Sequence, residues 1–188
     1  VPVLGALSMA KELKDVKFIF AIGSHKTRLL RLEIFDKLGI TKDMLVTLIH
    51  PQANVYQSAK VGAGCIIHSG VCIAQEAVIG DFSIITFNAV IGVNAILGDG
   101  AMVASLAFIG SRVKVGPCAF IGASSSIAED VTIGPGAMVG MGSSVYRAVP
   151  KGMFVLGNPA KNVYPLPVPD HICDGWDYSF VNIGNLHM

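Results

Sequence analysis

From Ile49 onward an aliphatic residue recurs at every sixth position. The series runs Ile49, Val55, Val61, Ile67, Ile73, Ile79, Ile85, Ile91, Leu97, Val103, Ile109, Val115, Ile121, Ile127, Ile133, Val139 and Val145, and a further step of six meets Lys151. The next residue is often glycine, from Gly62 through Gly80, Gly98, Gly116 and Gly134 to Gly140, and the residue two before is often alanine, from Ala53 to Ala137. A period of six fits neither a helix of 3.6 residues per turn nor a long alternating strand. It fits a short strand and a turn, repeated, with the aliphatic side chain pointing inward. Glycine at the corner would supply backbone angles that a Cβ disfavours. Hexapeptide periodicity of this kind predicts a mainly β protein, a parallel β-helix. Three hexads make one triangular coil, and coils stack at about the interstrand spacing of 4.8 Å. Five to six coils follow. One face carries Val55, Ile73, Ile91, Ile109, Ile127 and Val145, a second Val61, Ile79, Leu97, Val115 and Ile133, and a third Ile67, Ile85, Val103, Ile121 and Val139.

The flanks follow other rules. Residues 1–48 read as a small, truncated Rossmann-like α/β unit. Val1–Leu4 is a candidate strand, Leu7–Leu13 has a helical pattern, and Lys17–Ile22 reads as a buried strand. Thr27–Leu38 reads as an amphipathic helix with Leu30, Ile34 and Leu38 on one face, ended by Gly39. The unit is too short for a complete nucleotide-binding domain. Residues 49–161 form the repeat domain. Residues 162–188 leave the repeat as an irregular tail: Pro165, Pro167 and Pro169 stop regular structure, and the tail is expected to strap along a coil face with Trp176, Tyr178 and Phe180.

Composition narrows the function classes. Of the 188 residues 52% are hydrophobic and 14% charged, which argues against disorder. No window holds the roughly 20 apolar residues of a membrane span, so membrane insertion is not expected. A net charge of +1 gives no concentrated basic face for nucleic acid. Lys26, Arg28 and Arg31 read as the solvated face of a helix. Cys65, Cys72, Cys118 and Cys173 form no CxxC pair, so no metal is expected. Buried free thiols fit a reducing cytoplasm. No signal peptide is read, although the chain opens on Val-Pro rather than Met.

Several motifs stand in a fixed order: Val1-Pro2-Val3-Leu4-Gly5, Phe20-Ala21-Ile22-Gly23 with Arg28, Ile49-His50-Pro51, the hexads, and Gly157-Asn158-Pro159-Ala160-Lys161. Over residues 1–161 the chain resembles the hexapeptide-repeat sugar O- and N-acyltransferases, the group of sialic acid O-acetyltransferase and the bacillosamine and perosamine N-acetyltransferases. The resemblance implies a left-handed β-helix, a homotrimer, and acetyl-CoA lying in the groove between two subunits. It also implies an N-terminal unit that holds the nucleotide of a sugar nucleotide or stands beside the sugar. In the family that unit opens with a Gly-rich strand–turn–helix, and this sequence begins after it.

The resemblance also locates a departure. Family members carry a His, their proposed general base, in a stretch that here reads Thr86-Phe87-Asn88-Ala89-Val90-Ile91-Gly92-Val93-Asn94. The His position is Val93, the preceding acid is Gly92, and the family Asn falls on Thr86. Three accounts remain open. An amine acceptor attacks unaided and the departing thiolate takes the proton; or His68, one coil before Thr86 on the same edge, supplies the base; or the protein is a non-catalytic relative. The other implied site residues are present. The backbone N–H of Ser111, in Ile109-Gly110-Ser111, would hold the acetyl carbonyl oxygen. Gly110, Gly122, Ala123 and Gly140 would let the pantetheine arm approach, and Arg147 and Lys161 would pair with CoA phosphates. His25, Thr86, Asn88 and Asn94 complete the acceptor side. His50 reads as a cap at the entry to the helix. His171 and His187 carry no signal.

The expected function is acetyl transfer from acetyl-CoA to a nucleotide-linked amino sugar. N-acetylation is favoured because a hydroxyl needs a base more than an amine does. A zinc hydratase of the γ-carbonic anhydrase type needs more histidines than His50 and His68 provide. A structural or regulatory β-helix protein without turnover is the alternative.

Overall fold

In the computed structural model, which describes residues 5–13 and 15–174, a left-handed parallel β-helix begins at Leu48. Its strands are two residues long and sort into three sheets. Sheet 1 holds Leu48–Ile49, Ile66–Ile67, Ile84–Ile85, Met102–Val103, Phe120–Ile121, Met138–Val139 and Met153–Gly157, with the hairpin strand Ala160–Pro165 at its end. Sheet 2 runs from Asn54–Val55 to Ser144–Val145, and sheet 3 from Lys60–Val61 to Thr132–Ile133. Within the repeat each strand pairs in parallel with the strand 18 residues on, as Ile67 with Ile85 and Ile91 with Ile109. The three expected aliphatic columns fall one to a sheet. Ile67, Ile73, Ile85, Ile91, Ile109 and Ile121 are at most 1% exposed. Burying each such side chain contributes about 1.5–3 kcal/mol.

The repeat continues past the point where a strict step of six loses it. Val139 pairs with Val155 and Ile133 bridges Val149, both separations of 16 residues. The turn after Val145 is two residues shorter, so the inward positions pass to Val149 and Val155 and not to Lys151.

Four-residue turns join the strands at three corners, named here by the sheets they join. The glycine that opens many turns is not there for its backbone angles. The left-handed conformation falls two residues later, on Glu76 (φ 55°), Asn94 (φ 57°), Leu106 (φ 62°) and Arg112 (φ 59°) among others. What the first position needs is room. A Cβ on Gly80 would stand 2.6 Å from the Asp99 nitrogen, and one on Gly116 would stand 2.4 Å from the Pro135 nitrogen.

The 3–1 corner is sealed. Asp81 Oδ1 accepts from the Ala63 N–H, and Asp99 Oδ1 from the Asp81 N–H, each at 2.8 Å. The next two coils put Pro117 and Pro135 at this position, and proline has no N–H to satisfy. The N-terminal unit packs here. Its core is Phe20, Phe35, Leu38, Ile40 and Leu45, joined by Phe82 from the corner, with the Phe35 and Phe82 rings 4.5 Å apart.

Several expectations for this unit are corrected. Lys17–Ile22 contributes only a parallel bridge, Phe18 to Leu45. Leu7–Glu12 is a 3₁₀ turn. The helix α1 spans Leu30–Leu38, capped by Gly39 at φ 64°, and buries Arg31, Phe35 and Leu38, whereas Leu30 is 48% exposed. Arg28 and Arg31 are therefore not solvated; they are 6% and 0% exposed. They lie on the side of the unit that packs against the β-helix. Arg28 Nη2 donates to the Gly136 carbonyl at 2.9 Å, 108 residues away. Arg31 Nη2 donates to Phe20 O at 3.3 Å, and its Nε and Nη1 have no partner among the described residues.

At the far end Met153–Gly157 and Ala160–Pro165 form an antiparallel hairpin, so regular structure runs on to Pro165. Beyond it the chain straps over the 3–1 corner. Leu166 N–H donates to Gly152 O at 2.6 Å, and Lys151 pairs with Asp170 at 2.9 Å. The expected roles of Val1–Leu4, Trp176, Tyr178, Phe180 and His187 fall outside the described residues. No helix among the described residues is long and apolar enough to cross a membrane.

Two predictions follow from the packing. Gly116→Ala should cost about 1–3 kcal/mol, because the neighbouring backbone must move. Gly142→Ala, with nothing within 4 Å but a φ of 67°, should cost about 1 kcal/mol. Urea unfolding of both variants distinguishes crowding from backbone strain. The second prediction concerns thiols. All four cysteines are free, and burial pushes the Cys65 thiol up to about 11 and that of Cys118 up to about 12. At pH 8.5 their alkylation by iodoacetamide should be on the order of a hundredfold slower in the native protein than in urea. Their folded pKa values are raised, so their contribution to stability is complete below the ordinary thiol range and is lost as pH climbs toward 11 and 12.

Candidate functional site

On the 2–3 corner, as on the 1–2 corner, the amides of the second turn residues donate to no group among the described residues, whereas aspartate caps two of those on the 3–1 corner. Its stacked turns begin at Tyr56, Ala74, Gly92, Gly110 and Ala128. The second residues are Gln57, Gln75, Val93, Ser111 and Glu129, and the third are Ser58, Glu76, Asn94, Arg112 and Asp130. Direct stacking is visible in the hydrogen bonds. Asn94 N–H donates to Gln75 O at 3.0 Å, Arg112 N–H to Val93 O at 2.8 Å, and Asp130 N–H to Ser111 O at 3.1 Å.

The Ser111 N–H donates to no group among the described residues. Its nitrogen lies 2.7 Å from where a Cβ on Gly92 would stand, so glycine at 92 leaves the amide uncovered. An unpaired backbone donor held by the coil is suited to a developing oxyanion. Above it Arg112 reaches Asp130 Oδ1 at 2.6 Å and Glu129 Oε2 at 2.9 Å. These contacts raise the Arg112 guanidinium pKa, and the same guanidinium holds the Asp130 carboxyl below the usual carboxylate range. Below Val93, which is 37% exposed, Tyr56, Gln57, Ser58, Gln75 and Glu76 line an open depression of about 420 Å³. The sequence reading singled out none of these five residues.

The structure brings Gly92, Val93, Asn94, Gly110 and Ser111 together on this corner. The other expected site residues lie elsewhere in the chain. His68, Thr86, Asn88, Gly122, Ala123 and Gly140 occupy the 1–2 corner. There the His68 ring lies 4.6 Å from that of Phe87, and the Thr86 hydroxyl lies 3.0 Å from that of Ser105. One full side of the triangle separates His68 from Ser111. His25 stands over the outer face of sheet 1, with its ring 5.8 Å from Phe120. Arg147 follows the last strand of sheet 2, Lys161 sits in the terminal hairpin, and both are exposed. His50 Nδ1 accepts from the Gln52 N–H at 3.1 Å, a local turn role. Among the described residues no three His, Cys, Asp or Glu side chains are grouped to hold a metal.

No family model matches the chain. A curated relative, UDP-N-acetylbacillosamine N-acetyltransferase of Bacillus subtilis (strain 168), is 35% identical over 66 residues, which is 35% of this chain and 29% of that enzyme. The chain thus matches under a third of that relative's length. Solved structures align far more widely. A point mutant of perosamine N-acetyltransferase from Caulobacter crescentus, in complex with CoA and GDP-perosamine, superposes with a TM-score of 0.78 at 34% identity, over 87% of this chain and 78% of that one. The acetyltransferase domain of PglB from Neisseria gonorrhoeae FA1090, in complex with acetyl coenzyme A, gives a TM-score of 0.78 at 26% identity, over 86% of this chain and 78% of that domain. With that identity sustained over more than two thirds of perosamine N-acetyltransferase, the chain belongs to the hexapeptide-repeat sugar acyltransferases, in the group of the perosamine and bacillosamine N-acetyltransferases.

Proposed function

We propose that this chain transfers the acetyl group of acetyl-CoA to the amine of a nucleotide-linked amino sugar, acting in the cytoplasm as a homotrimer. The observation that carries the reading is the unpaired Ser111 amide above Gly92, on the corner where the family places its acyl carbonyl. Relatives in the same group are solved with CoA and GDP-perosamine or with acetyl coenzyme A.

Two copies are needed to assemble the site. The 2–3 corner holds the acyl position, and the 1–2 corner holds His68, Thr86, Asn88, Gly122, Ala123 and Gly140. A groove between the 2–3 corner of one copy and the 1–2 corner of the next unites them. Exposed apolar residues favour that packing: Phe87 (50%), Leu106 (60%) and Phe108 (47%) lie on the 1–2 corner and sheet 2, and Val78 (36%) and Ile96 (37%) on sheet 3. Gly122, Ala123 and Gly140 leave room for the pantetheine arm, while Arg147 and Lys161 supply positive charge for phosphates. His25 stands on the nucleotide side, and Thr86, Asn88 and Asn94 on the acceptor side. His68 lines the groove from the neighbouring copy, and as a proton acceptor it is the alternative to unaided attack.

Val93 cannot accept a proton, which favours an amine over a hydroxyl. A neutral amine attacks a thioester unaided, the Ser111 N–H holds the carbonyl oxygen as it gains charge, and the departing thiolate ends with the proton.

Calorimetric titration with acetyl-CoA, with the mass in solution measured alongside, should give one site per chain in a particle of three chains. A folded trimer that binds no acetyl-CoA at millimolar concentration would leave a non-catalytic β-helix as the function. Gly92→Ala should keep the trimer and lower thiol release by about 10²–10³, the usual effect of losing an oxyanion donor. A rate unchanged by Gly92→Ala would remove the Ser111 amide from the mechanism.

A further inference from the structure

Val93 is the middle member of three stacked turns on the 2–3 corner. Ser111 lies one coil above it. Gln75 and Glu76 lie one coil below, and both neighbours are tied to its turn by backbone hydrogen bonds: Asn94 N–H to Gln75 O, Arg112 N–H to Val93 O. At strand spacing the Ser111 amide and the Glu76 backbone are about 10 Å apart along the coil axis. That span suits an acyl transfer. A carbonyl oxygen sits about 2.9 Å from its donor, an attacking nitrogen about 3–3.5 Å from the acyl carbon, and a carboxylate within about 2.8 Å of that nitrogen. Together with the carbonyl bond these contacts span about 10 Å, the same distance.

The charges on this corner are unequally committed. Glu129 and Asp130, above Ser111, are both engaged by Arg112. The Glu76 carboxylate makes no ion pair or hydrogen bond among the described residues, while its backbone N–H is fixed to Ser58 Oγ at 3.2 Å. It lines the open depression together with Tyr56, Gln57, Ser58 and Gln75. The lining combines one aromatic ring, two amides, one hydroxyl and one carboxylate. It suits a sugar carrying an amino group: Tyr56 takes a ring face, the amides and Ser58 take hydroxyls, and the Glu76 carboxylate accepts a hydrogen bond from the neutral amine.

We propose that the depression below Val93 binds the acceptor as an amino sugar, and that the Glu76 carboxylate holds its amino group and removes its proton during transfer. The assignment rests on the acetyltransferase reading and adds the residue that replaces the family base. The neutral amine nitrogen attacks the acyl carbon, and the carbonyl π electrons move to the oxygen held by the Ser111 N–H. The nitrogen, now positive, is strongly acidic, and its proton passes to Glu76. The oxyanion collapses, the carbon–sulfur bond breaks, and the CoA thiolate takes up the proton to give the amide and free thiol. Glu76 serves from within the same chain and corner as Ser111, whereas His68 must come from a neighbouring copy.

Thiol release from acetyl-CoA would be measured with GDP-perosamine and with UDP-linked 4-amino sugars, for the wild type and for Glu76→Gln. Acetyl-CoA affinity of both would be measured by calorimetry, which also reports an intact trimer groove. Glu76→Gln is expected to keep acetyl-CoA affinity within about threefold and to lose at least about a hundredfold in kcat/KM, with Glu76→Asp partly restoring it. Glu76→Gln turnover within threefold of wild type would overturn the assignment and leave the acetyltransferase reading standing. A wild type that binds acetyl-CoA but acetylates none of these amines would overturn the assignment too. A wild type that neither binds acetyl-CoA nor releases thiol would overturn the acetyltransferase reading itself.

Discussion

The structure depends on how closely its coils approach. Parallel strands in register hold each coil at about 4.8 Å from the next, and the inward aliphatic columns close the interior at that spacing. The corners must fit the same distance. The first turn residue is therefore glycine wherever the coil above brings its backbone within 2.4–2.9 Å of a would-be Cβ, as at Gly62, Gly80, Gly92 and Gly116. Coil spacing also fixes the chemistry. Every residue has its functional neighbours 18 positions away, so a site is a column and not a loop.

The three corners share one backbone, and the 3–1 corner differs from the other two in what satisfies the amides of its second turn residues. On the 3–1 corner aspartate side chains cap two of them, proline removes two more, and the N-terminal unit covers the edge. That corner is spent on stability. The Asp99 carboxyl shows the cost: burial pushes its pKa up, against the lowering effect of the Asp81 N–H it accepts. The 2–3 corner leaves the amides of Val93 and Ser111 unpaired among the described residues. A donor that the fold leaves unsatisfied is available to a ligand, and a donor already bonded to aspartate is not.

Periodicity made the β-helix legible because the hexad is a strict pattern with one physical meaning, and all three inward columns could be assigned by number. What was not legible required knowledge of contacts. The glycines were credited with backbone freedom, yet the coil above is what selects them, and no single coil contains that information. The two-residue deletion after Val145 hid the last coil, since a fixed step cannot see a shorter turn. Arg28 and Arg31 looked solvated because charge near Glu33 and Asp36 reads as surface; a carbonyl at Gly136 and a packed aromatic unit decide otherwise. On the site, the Ser111 position followed from the resemblance. The proposed Glu76 belongs to no motif of its own in the sequence, although a step of 18 back from Asn94 gives it directly.

The same column logic bears on the proposed site, where position 93 holds a valine and the resemblance implies a histidine. In a loop-built site the base and the oxyanion donor are held by unrelated segments, and moving one requires rebuilding the segment. In a coil a residue one turn away projects from the same corner: the equivalent of Val93 is Gln75, and Glu76 stands next to it at the left-handed third position of the turn. In the proposed assignment the Glu76 carboxylate reaches the reacting nitrogen from the coil below. What changes is the proton chemistry. A carboxylate accepts best from a nitrogen already bonded to the acyl carbon, and poorly from a sugar hydroxyl, which stays a weak acid until late in the reaction. Under the proposed assignment a Glu76 base narrows the acceptor to amines, so that position 93, though it touches no proton, helps to set which acceptors the site can use.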